Sequence, residues 1–286
     1  MRTTRRQALA GLLLGGCPAR AAAPSRVVAL DWGLASTLVA LGLAPAGVAE
    51  TAGYAAWVGE PALPAGTRDV GLRLEPNLEL LAGLRPGLIL VSPFGEGIRP
   101  LLERIAPVAT YSLYTDEARP LERAAAMTLD LGRRLGRGRQ ARALLDQADE
   151  AFAAARAALA GRGARRVLAI TVVDARHVNV YGRGSLFADV LARLDLVNAW
   201  TRPTNAWGVS VAAVEDLAAH PDADRVVVEP VPADAERGFA RPGLWAALAG
   251  LRRGEVVRLP QAWAFGDLLA AARFAGLVAS RLGTGT

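Results

Sequence analysis

The sequence predicts an α/β protein made of two α/β lobes joined by one long rigid helix, with a ligand cleft between the lobes. In both halves of the chain, short apolar segments alternate with helical periods, which is typical of strand–helix units around a largely parallel sheet. The stretch from about residue 120 to residue 159 shows no strand pattern. Its second half, RQARALLDQADEAFAAARAALA, repeats apolar residues at three- and four-residue spacings and therefore predicts a long amphipathic helix.

The elements follow in order along the chain. The first half alternates through RVVALD, WGLASTLVALGL, AGVAE, DVGL, PNLELLAGL, PGLILVS, IRPLLERIA and PVATYSL. The apolar face of the central helix is formed by Ala141, Leu144, Leu145, Ala148, Phe152 and Ala155, and Gly161 and Gly163 end the helix. The alternation resumes with RRVLAITVV, HVNVYG, SLFADVLARLD, AVEDLAAH, DRVVVE and EVVRLP, and closes with a helix from Leu268 to Leu282.

These patterns predict four regions. An export signal occupies residues 1–23, an N-terminal lobe 26–138, the connecting helix 139–162 and a C-terminal lobe 163–286. The alternative is one continuous α/β domain.

The first residues, MRTTRRQALAGLLLGGCPARAAAPS, have the form of a secretory signal. A basic start precedes a short apolar run that is too short to span a bilayer, and small residues follow at Ala21–Ala23. The pair Arg5-Arg6 before Gln7-Ala8-Leu9 predicts a twin-arginine export route to the periplasm.

Cys17 is the only cysteine of the chain and lies within this signal. Leu14-Gly15-Gly16-Cys17 resembles a lipobox, which would leave Cys17 as a lipid anchor, and cleavage after Ala23 is the alternative. Four of the 33 basic residues also lie in the signal, so the remainder, against 27 acidic residues, carries a formal charge of +2. Since no dense basic stripe remains, nucleic acid is not expected as a partner.

Catalytic patterns are missing from the sequence, and we predict that the protein is not an enzyme. Its only two histidines, His177 and His220, are not within metal-ligand spacing of another His or a Cys. The sequence also lacks a Gly-x-Ser-x-Gly elbow, a phosphate loop and a dinucleotide-binding glycine motif. A metal is therefore expected only inside a chelate, with no cofactor held directly. Ser185, after Gly182-Arg183-Gly184, is more easily explained as a helix cap than as part of an anion site.

Large aromatic residues fall in segments that contain Gly or Pro and look like loops. These are Trp57 in GYAAWVGEPALP, Phe94 in VSPFGEG, Trp207 in TNAWGVS, and Trp263 with Phe265 in PQAWAFGD. Aromatic rings in loops at strand ends are well placed to form the walls of a ligand cleft. The alternative is that each ring fills the core beneath its own loop.

Several segments carry a resemblance to a known family. RVVALDWGLASTLVALGLAPAGVAET, YAAWVGEPALPAGTRDVGLRLEPNLELL, DARHVNVYGRGSLFADVL and LPQAWAFG are similar to the periplasmic ferric-hydroxamate siderophore-binding proteins of ABC importers. The similarity runs nearly end to end after the signal, and the segment around Arg73 is its most specific part. The resemblance implies two lobes, a connecting helix and a shallow aromatic cleft. It also implies that the protein delivers a ferric siderophore to an inner-membrane ABC permease.

The resemblance assigns roles to individual residues. Arg73 would donate hydrogen bonds to the oxygens around the iron, and Trp57, Trp207 and Trp263 would pack on the ligand. Phe94 and Phe265 stand where the family has tyrosines, so two hydroxyls are lost, and Tyr54 or Tyr114 could replace one. The alternative for Arg73 is a surface ion pair with Asp69 or Glu75.

The family docks to its permease through one acidic residue on each lobe. Glu96 or Glu103 would serve on the N-terminal lobe, and Glu215 or Asp216 on the C-terminal lobe. The protein is expected to be a monomer. The alternative functions are the binding of haem, cobalamin or a ferric catecholate and, in a different class, a periplasmic hydrolase on the same scaffold.

Overall fold

The computed structural model describes residues 26–115, 117–161, 165–239 and 256–283. The predicted export signal, with Cys17, and the predicted helix end at Gly163 lie outside these residues. Within them, no helix is both long enough and apolar enough to cross a bilayer.

The first half of the chain forms a five-stranded sheet in which all strands are parallel. Its strands are β1 (Val27–Ala29), β2 (Gly47–Val48), β3 (Arg68–Asp69), β4 (Leu88–Val91) and β5 (Val108–Thr110). Its helices are α1 (Trp32–Ala40), α2 (Thr51–Trp57), α3 (Leu78–Leu84) and α4 (Arg99–Leu102), with a 3-10 helix at Pro93–Ile98. The order β3-β2-β1-β4-β5 reverses direction between β1 and β4, and such a reversal opens a crevice beyond the carboxyl ends of those two strands.

Side-chain caps begin the helices of this lobe where the sequence supplies an Asp or Asn. Asp31 accepts a hydrogen bond from the peptide N–H of Leu34 at 3.2 Å and starts α1 directly after β1. Asn77 accepts from Leu80 at 2.8 Å and starts α3 after Pro76. The predicted strand–helix alternation is therefore confirmed here, although most elements are shorter than their sequence patterns.

Two helices connect the sheets. They are α5 (Pro120–Arg134) and α6 (Gly138–Leu159), and α6 matches the predicted long helix closely. The predicted stripe is mostly confirmed, because Ala141, Ala148, Phe152 and Ala155 are buried. Gly132 allows the two helices to approach, since a Cβ at this position would lie 2.4 Å from the Cβ of Ala141.

The second half forms a mixed sheet of six strands. They are β6 (Arg166–Val172), β7 (His177–Tyr181), β8 (Val197–Asn198), β9 (Val209–Ala213), β10 (Ala223–Val228) and β11 (Val256–Leu259). The helices are α7 (Leu186–Arg193), α8 (Ala233–Phe239) and α9 (Leu268–Leu282), with a 3-10 helix at Val214–Ala219. The bounds predicted for the last helix are confirmed.

The predicted largely parallel arrangement has an antiparallel edge in this lobe. β7 is antiparallel to β6, and β9 is antiparallel to β7. The connection from β6 to β7 is a short turn, and a parallel pair would need a much longer crossover. β9 was not predicted, because its first two residues are the last two of the Gly-containing segment TNAWGVS, which looks like a loop.

The two halves are packed against each other along α9, which lies beside α6 and also contacts α1. The Thr37 hydroxyl of α1 donates a buried hydrogen bond to the Asp267 carboxylate at 2.9 Å. Beside it, the backbones of Gly33 and Gly266 almost touch, since a Cβ at Gly33 would lie 3.1 Å from the carbonyl carbon of Gly266. The two-lobe α/β architecture predicted from the sequence is therefore confirmed, whereas the domain limits at 138 and 162 stay a prediction.

Candidate functional site

A cleft of about 240 Å³ lies between the lobes. One wall follows the carboxyl ends of β1, β4 and β5 and includes Asp31, Ser92 and Tyr111. The other wall is formed by Trp207 and Phe265 of the second lobe. The cleft thus occupies the crevice that the strand order of the first sheet creates.

Two aromatic rings, one from each lobe, stack across this cleft. The ring centroids of Phe94 and Trp207 are 5.3 Å apart, with an interplanar angle of 26°. The two side chains keep exposed fractions of 57% and 37%, so neither ring fills a core beneath its loop. The structure thereby brings together two of the residues predicted to face the ligand.

Phe265 continues the aromatic wall toward the interior. Its ring lies 6.1 Å from that of Tyr114 and 5.3 Å from that of Trp263. The Tyr114 hydroxyl donates to the carbonyl of Ala264 at 2.9 Å. Burial, together with the nearby Tyr181, raises the pKa of Tyr114 well above its ordinary value, so the phenol stays protonated. The Tyr114 hydroxyl is therefore already engaged across the lobe interface.

The other predicted replacement, Tyr54, is not in the cleft. Its side chain is buried, and its hydroxyl donates to the carbonyl of Pro61 at 2.5 Å. The hydroxyls missing from Phe94 and Phe265 are therefore not replaced by Tyr54. Tyr111, which the sequence reading missed, lines the cleft and donates to Asp130 at 2.6 Å.

Arg73 lies outside the 240 Å³ cleft, in a second aromatic group centred on Trp32. The Arg73 guanidinium carbon is 4.2 Å from the centroid of the Trp32 ring. Trp263 lies 4.9 Å from Trp32, and Trp57 lies 6.0 Å from Trp263. The six predicted ligand-binding residues therefore form two groups, and the Trp263–Phe265 contact joins them.

The ion-pair partner of Arg73 is neither Asp69 nor Glu75. Its Nε lies 2.9 Å from Oε2 of Glu50. Asp69 instead accepts from the peptide N–H and hydroxyl of Thr51 at 2.8 and 2.7 Å. Burial acts to raise the pKa of Asp69, but these bonds and one from Gly71 bring it below its ordinary value.

Trp57 is not in a loop, so the prediction from the sequence is wrong for this residue. It is the last residue of α2, a short helix held to the core by the buried Tyr54. The Gly and Pro residues after Trp57 lie beyond the end of that helix, so they do not place Trp57 itself in a loop.

The missed polar residues of the cleft follow a simple rule of position. Asp31, Ser92 and Tyr111 come within two residues of the ends of β1, β4 and β5. Residues in such positions meet at one edge of a parallel sheet, and that signal was available in the sequence. Burial raises the pKa of Asp31, although the peptide N–H of Leu34 and the charge of Arg73 act in the opposite direction.

The predicted docking acids differ in whether they already form ion pairs within the protein. Glu96 and Glu103 both pair with Arg99, at 3.0 and 2.8 Å. The pKa of Glu96 lies below its usual range, mainly because Thr110 donates a hydrogen bond to it and, to a smaller extent, because Arg99 does.

On the second lobe, Asp216 pairs with Arg202 at 2.9 Å. Glu215 is exposed and makes no ion pair with the residues that the structure describes. A docking role for any of these acids stays a prediction.

Neither histidine contributes to the cleft. His177, the exposed first residue of β7, lies 2.9 Å from Asp174, and His220 lies near Trp200. Ser185 accepts from the peptide N–H of Ala188 at 3.1 Å, which confirms its predicted role as the cap of α7. In the described part of the chain, no three His, Cys, Asp or Glu residues come together in a way that could hold a metal ion.

Comparison with known proteins places these features in a family. A family model described as periplasmic binding protein matches residues 27–262. The iron(3+)-hydroxamate-binding protein FhuD of Escherichia coli strain K12 is 37% identical over 280 residues, covering 96% of this chain and 94% of that protein. The sequence resemblance is therefore confirmed along nearly the whole chain.

Solved structures give the same result. The crystal structure of FhuD from Vibrio cholerae, bound to Fe³⁺–Desferal, superposes with a TM-score of 0.84 at 27% identity and covers 91% of this chain and 98% of that one. PiuA, an iron-uptake ABC transporter substrate-binding protein from Streptococcus pneumoniae, superposes with a TM-score of 0.72 at 19% identity, covering 90% and 92% of the two chains. At that identity the second match supports the fold alone.

Proposed function

The chain belongs to the periplasmic binding protein family, and on this premise we propose that it captures a ferric hydroxamate siderophore and delivers it to an inner-membrane ABC importer. The observation that carries the proposal is the aromatic cleft between the lobes, with Arg73 held beside it on the Trp32 ring. The E. coli relative, described as an iron(3+)-hydroxamate-binding protein, and the V. cholerae protein bound to Fe³⁺–Desferal support the same ligand class.

The residues suit a ligand that is apolar outside and polar around its metal. Phe94, Trp207 and Phe265 supply aromatic surface for the carbon backbone of the siderophore. The Nη groups of Arg73 supply donors for the oxygens around the iron, since charge-assisted hydrogen bonds favour such electron-rich acceptors. The ring centroids of Trp57 and Trp263 are 6.0 Å apart, and these two rings would extend the aromatic surface toward Arg73.

In this proposal the protein binds and delivers its ligand without changing it. Iron enters as part of the siderophore, and the protein holds no cofactor of its own. We place it in the periplasm as a monomer, exported by its twin-arginine-like signal and soluble or anchored through Cys17. The permease would recognise one acid on each lobe, and the exposed Glu215 is the better choice on the second lobe.

A ferric catecholate is a poorer fit than a ferric hydroxamate. A tris-catecholate complex of iron(III) carries a large negative charge and would need several cations around it. Among the described residues that line the 240 Å³ cleft, Asp31 is acidic and none is basic. The charges of the cleft therefore favour a complex with little or no negative charge.

Tryptophan fluorescence of the mature protein tests the proposal directly. We expect saturable quenching by ferric ferrichrome-type or ferrioxamine-type siderophores, because Trp207, Trp263 and Trp57 lie in or beside the cleft. The metal-free siderophores should quench weakly, and a ferric catecholate serves as the second control. Quenching by the catecholate alone would show that the ligand belongs to another class. If no ferric complex changes the fluorescence, the proposal is rejected.

A further inference from the structure

Both carboxylate oxygens of Glu50 contact Arg73. Its Oε2 lies 2.9 Å from the Nε of Arg73, and its Oε1 accepts from the peptide N–H of Arg73 at 3.4 Å. Glu50 does this from a left-handed backbone conformation, with φ 52° and ψ 57°, which is unfavourable for a residue with a side chain. Its peptide N–H donates to the carbonyl of Gly71 at 3.0 Å and ties it to the segment that carries Arg73.

This arrangement leaves the outer part of Arg73 available. The ion pair engages Nε, and neither Nη group donates a hydrogen bond to the residues that the structure describes. The guanidinium is braced by the Trp32 ring at 4.2 Å, and the side chain remains 36% exposed. Arg73 is therefore held in place by its inner nitrogen while its two outer nitrogens stay free for a ligand.

The same contact makes Arg73 and Glu50 together a neutral pair. The carboxylate of Glu50 balances the guanidinium at close range, and its side chain is only 25% exposed, so water screens the pair incompletely. Asp31 is a further acid in the lining of the cleft. Arg73, Glu50 and Asp31 together therefore carry a charge of zero or below, even though a strong hydrogen-bond donor is present.

From these contacts we propose that Glu50 is a specificity-determining residue. It fixes Arg73 as a hydrogen-bond donor and cancels its charge, so that the site accepts charge-neutral ferric complexes and rejects anionic ones. An iron(III) ion with three hydroxamates is neutral, whereas one with three catecholates is strongly anionic. The inference rests on the proposed function and deepens it.

The test compares two variants that remove the same charge. Glu50→Gln keeps an oxygen for the Nε of Arg73 but loses the negative charge. Glu75→Gln is the matched control, because Glu75 is exposed, lies two residues from Arg73 and makes no ion pair with described residues. Affinities are measured for neutral ferric ferrichrome and for an anionic ferric catecholate, at low and high salt.

We expect Glu50→Gln to change the ferrichrome affinity by less than about 3-fold and to raise the catecholate affinity by about 10-fold at low salt, the effect of one unit charge at short range. The gain should shrink at high salt, and Glu75→Gln should leave the ratio of the two affinities unchanged. Equal ratios in the two variants, or a parallel loss of both affinities in Glu50→Gln, would overturn the inference and leave the proposed function intact.

Wild-type protein supplies an independent test that does not depend on the folding of a variant. If the site is neutral or negative, added salt leaves the weak catecholate affinity unchanged or strengthens it, because salt screens repulsion. A steep loss of catecholate affinity with salt would indicate a net positive site and overturn the inference. Failure of the wild type to bind any ferric hydroxamate would overturn the inference and the proposed function together.

Discussion

At the scale of single residues, the side chains that would recognise a ligand come from both lobes and meet in pairs. Phe94 and Trp207 stack between the lobes, and Trp263 connects the cleft to the group around Arg73. Residue types were informative here, since the large aromatic rings predicted a ligand cleft and the family resemblance singled out Arg73. Their partners were not predictable, as Glu50 shows by pairing with Arg73 in place of Asp69 or Glu75.

The role of Arg73 is tested by Arg73→Ala. We expect the affinity for a ferric hydroxamate to fall by about 1.5–3 kcal/mol, the usual contribution of a hydrogen bond to a charged group. Fluorescence titration or calorimetry measures the change. Arg68→Ala is the matched control, because Arg68 is exposed, lies in the same segment and makes no ion pair with described residues. Unchanged affinity in a folded Arg73→Ala protein would refute the role.

At the scale of elements, prediction succeeded where periodicity was strong and failed where elements were short. The 22-residue helix α6 and the C-terminal helix were clear because their apolar positions repeat over several turns. α2 and β9 look like loops in the sequence because each has few residues and lies next to Gly or Pro. Such short elements owe their conformation to packing, and a local pattern cannot identify them.

The connecting helix is expected to support the fold without touching the ligand. Phe152 is 3% exposed in the core between α6 and its neighbours. Phe152→Ala should lower the free energy of unfolding by about 3–5 kcal/mol, because it removes a large buried ring. Urea unfolding measures this loss, and the affinity for a ferric hydroxamate should change by less than about 2-fold.

Glu150→Ala is the control for Phe152→Ala. Glu150 lies on the exposed face of the same helix, and surface substitutions usually change stability by less than about 0.5 kcal/mol. A small effect of Phe152→Ala on unfolding would contradict the packing described for α6. A large loss of affinity in the folded variant would mean that the helix also controls the cleft.

At the scale of the whole molecule, the lobes are joined by polar and close backbone contacts beneath the cleft. Gly33 and Gly266 bring the two backbones together, and Asp267 accepts from Thr37 across the interface and from the peptide N–H of Ala270 at 2.9 Å. These contacts fix the distance between the cleft walls. The contacts of Gly33 with Gly266 and of Thr37 with Asp267 join residues 230 or more positions apart, and no local sequence pattern indicated them.

Asp267 should make this interface sensitive to pH. Burial raises its pKa in the folded protein, although hydrogen bonds from Ala270, Ser36 and Thr37 oppose this. The folded protein then holds a proton on Asp267 more readily than the unfolded chain does. The resulting contribution to stability is complete below the ordinary pKa of 3.8 and is lost as pH rises through the folded-state pKa.

The consequence is tested by comparing wild type with Asp267→Asn in urea at pH values from 7 to 4. As pH falls, the free energy of unfolding of the wild type should rise relative to that of the variant. Asp222→Asn is the control, since Asp222 is exposed. A difference between wild type and Asp267→Asn that stays constant, or that falls toward pH 4, would contradict the assignment.

Local sequence patterns were enough to predict the α/β class, the two lobes and the connecting helix, and they suggested the residue types of a chelate-binding site. These properties are local, because periodicity, caps and the chemistry of a side chain are present in a short stretch of chain. The partners of these residues depend on the three-dimensional fold. Glu50 pairs with Arg73, Phe94 stacks on Trp207, and the hydroxyls of Tyr54 and Tyr114 bond to backbone carbonyls. Most of these contacts join residues far apart in the chain, and strand order and lobe packing decide which of them meet.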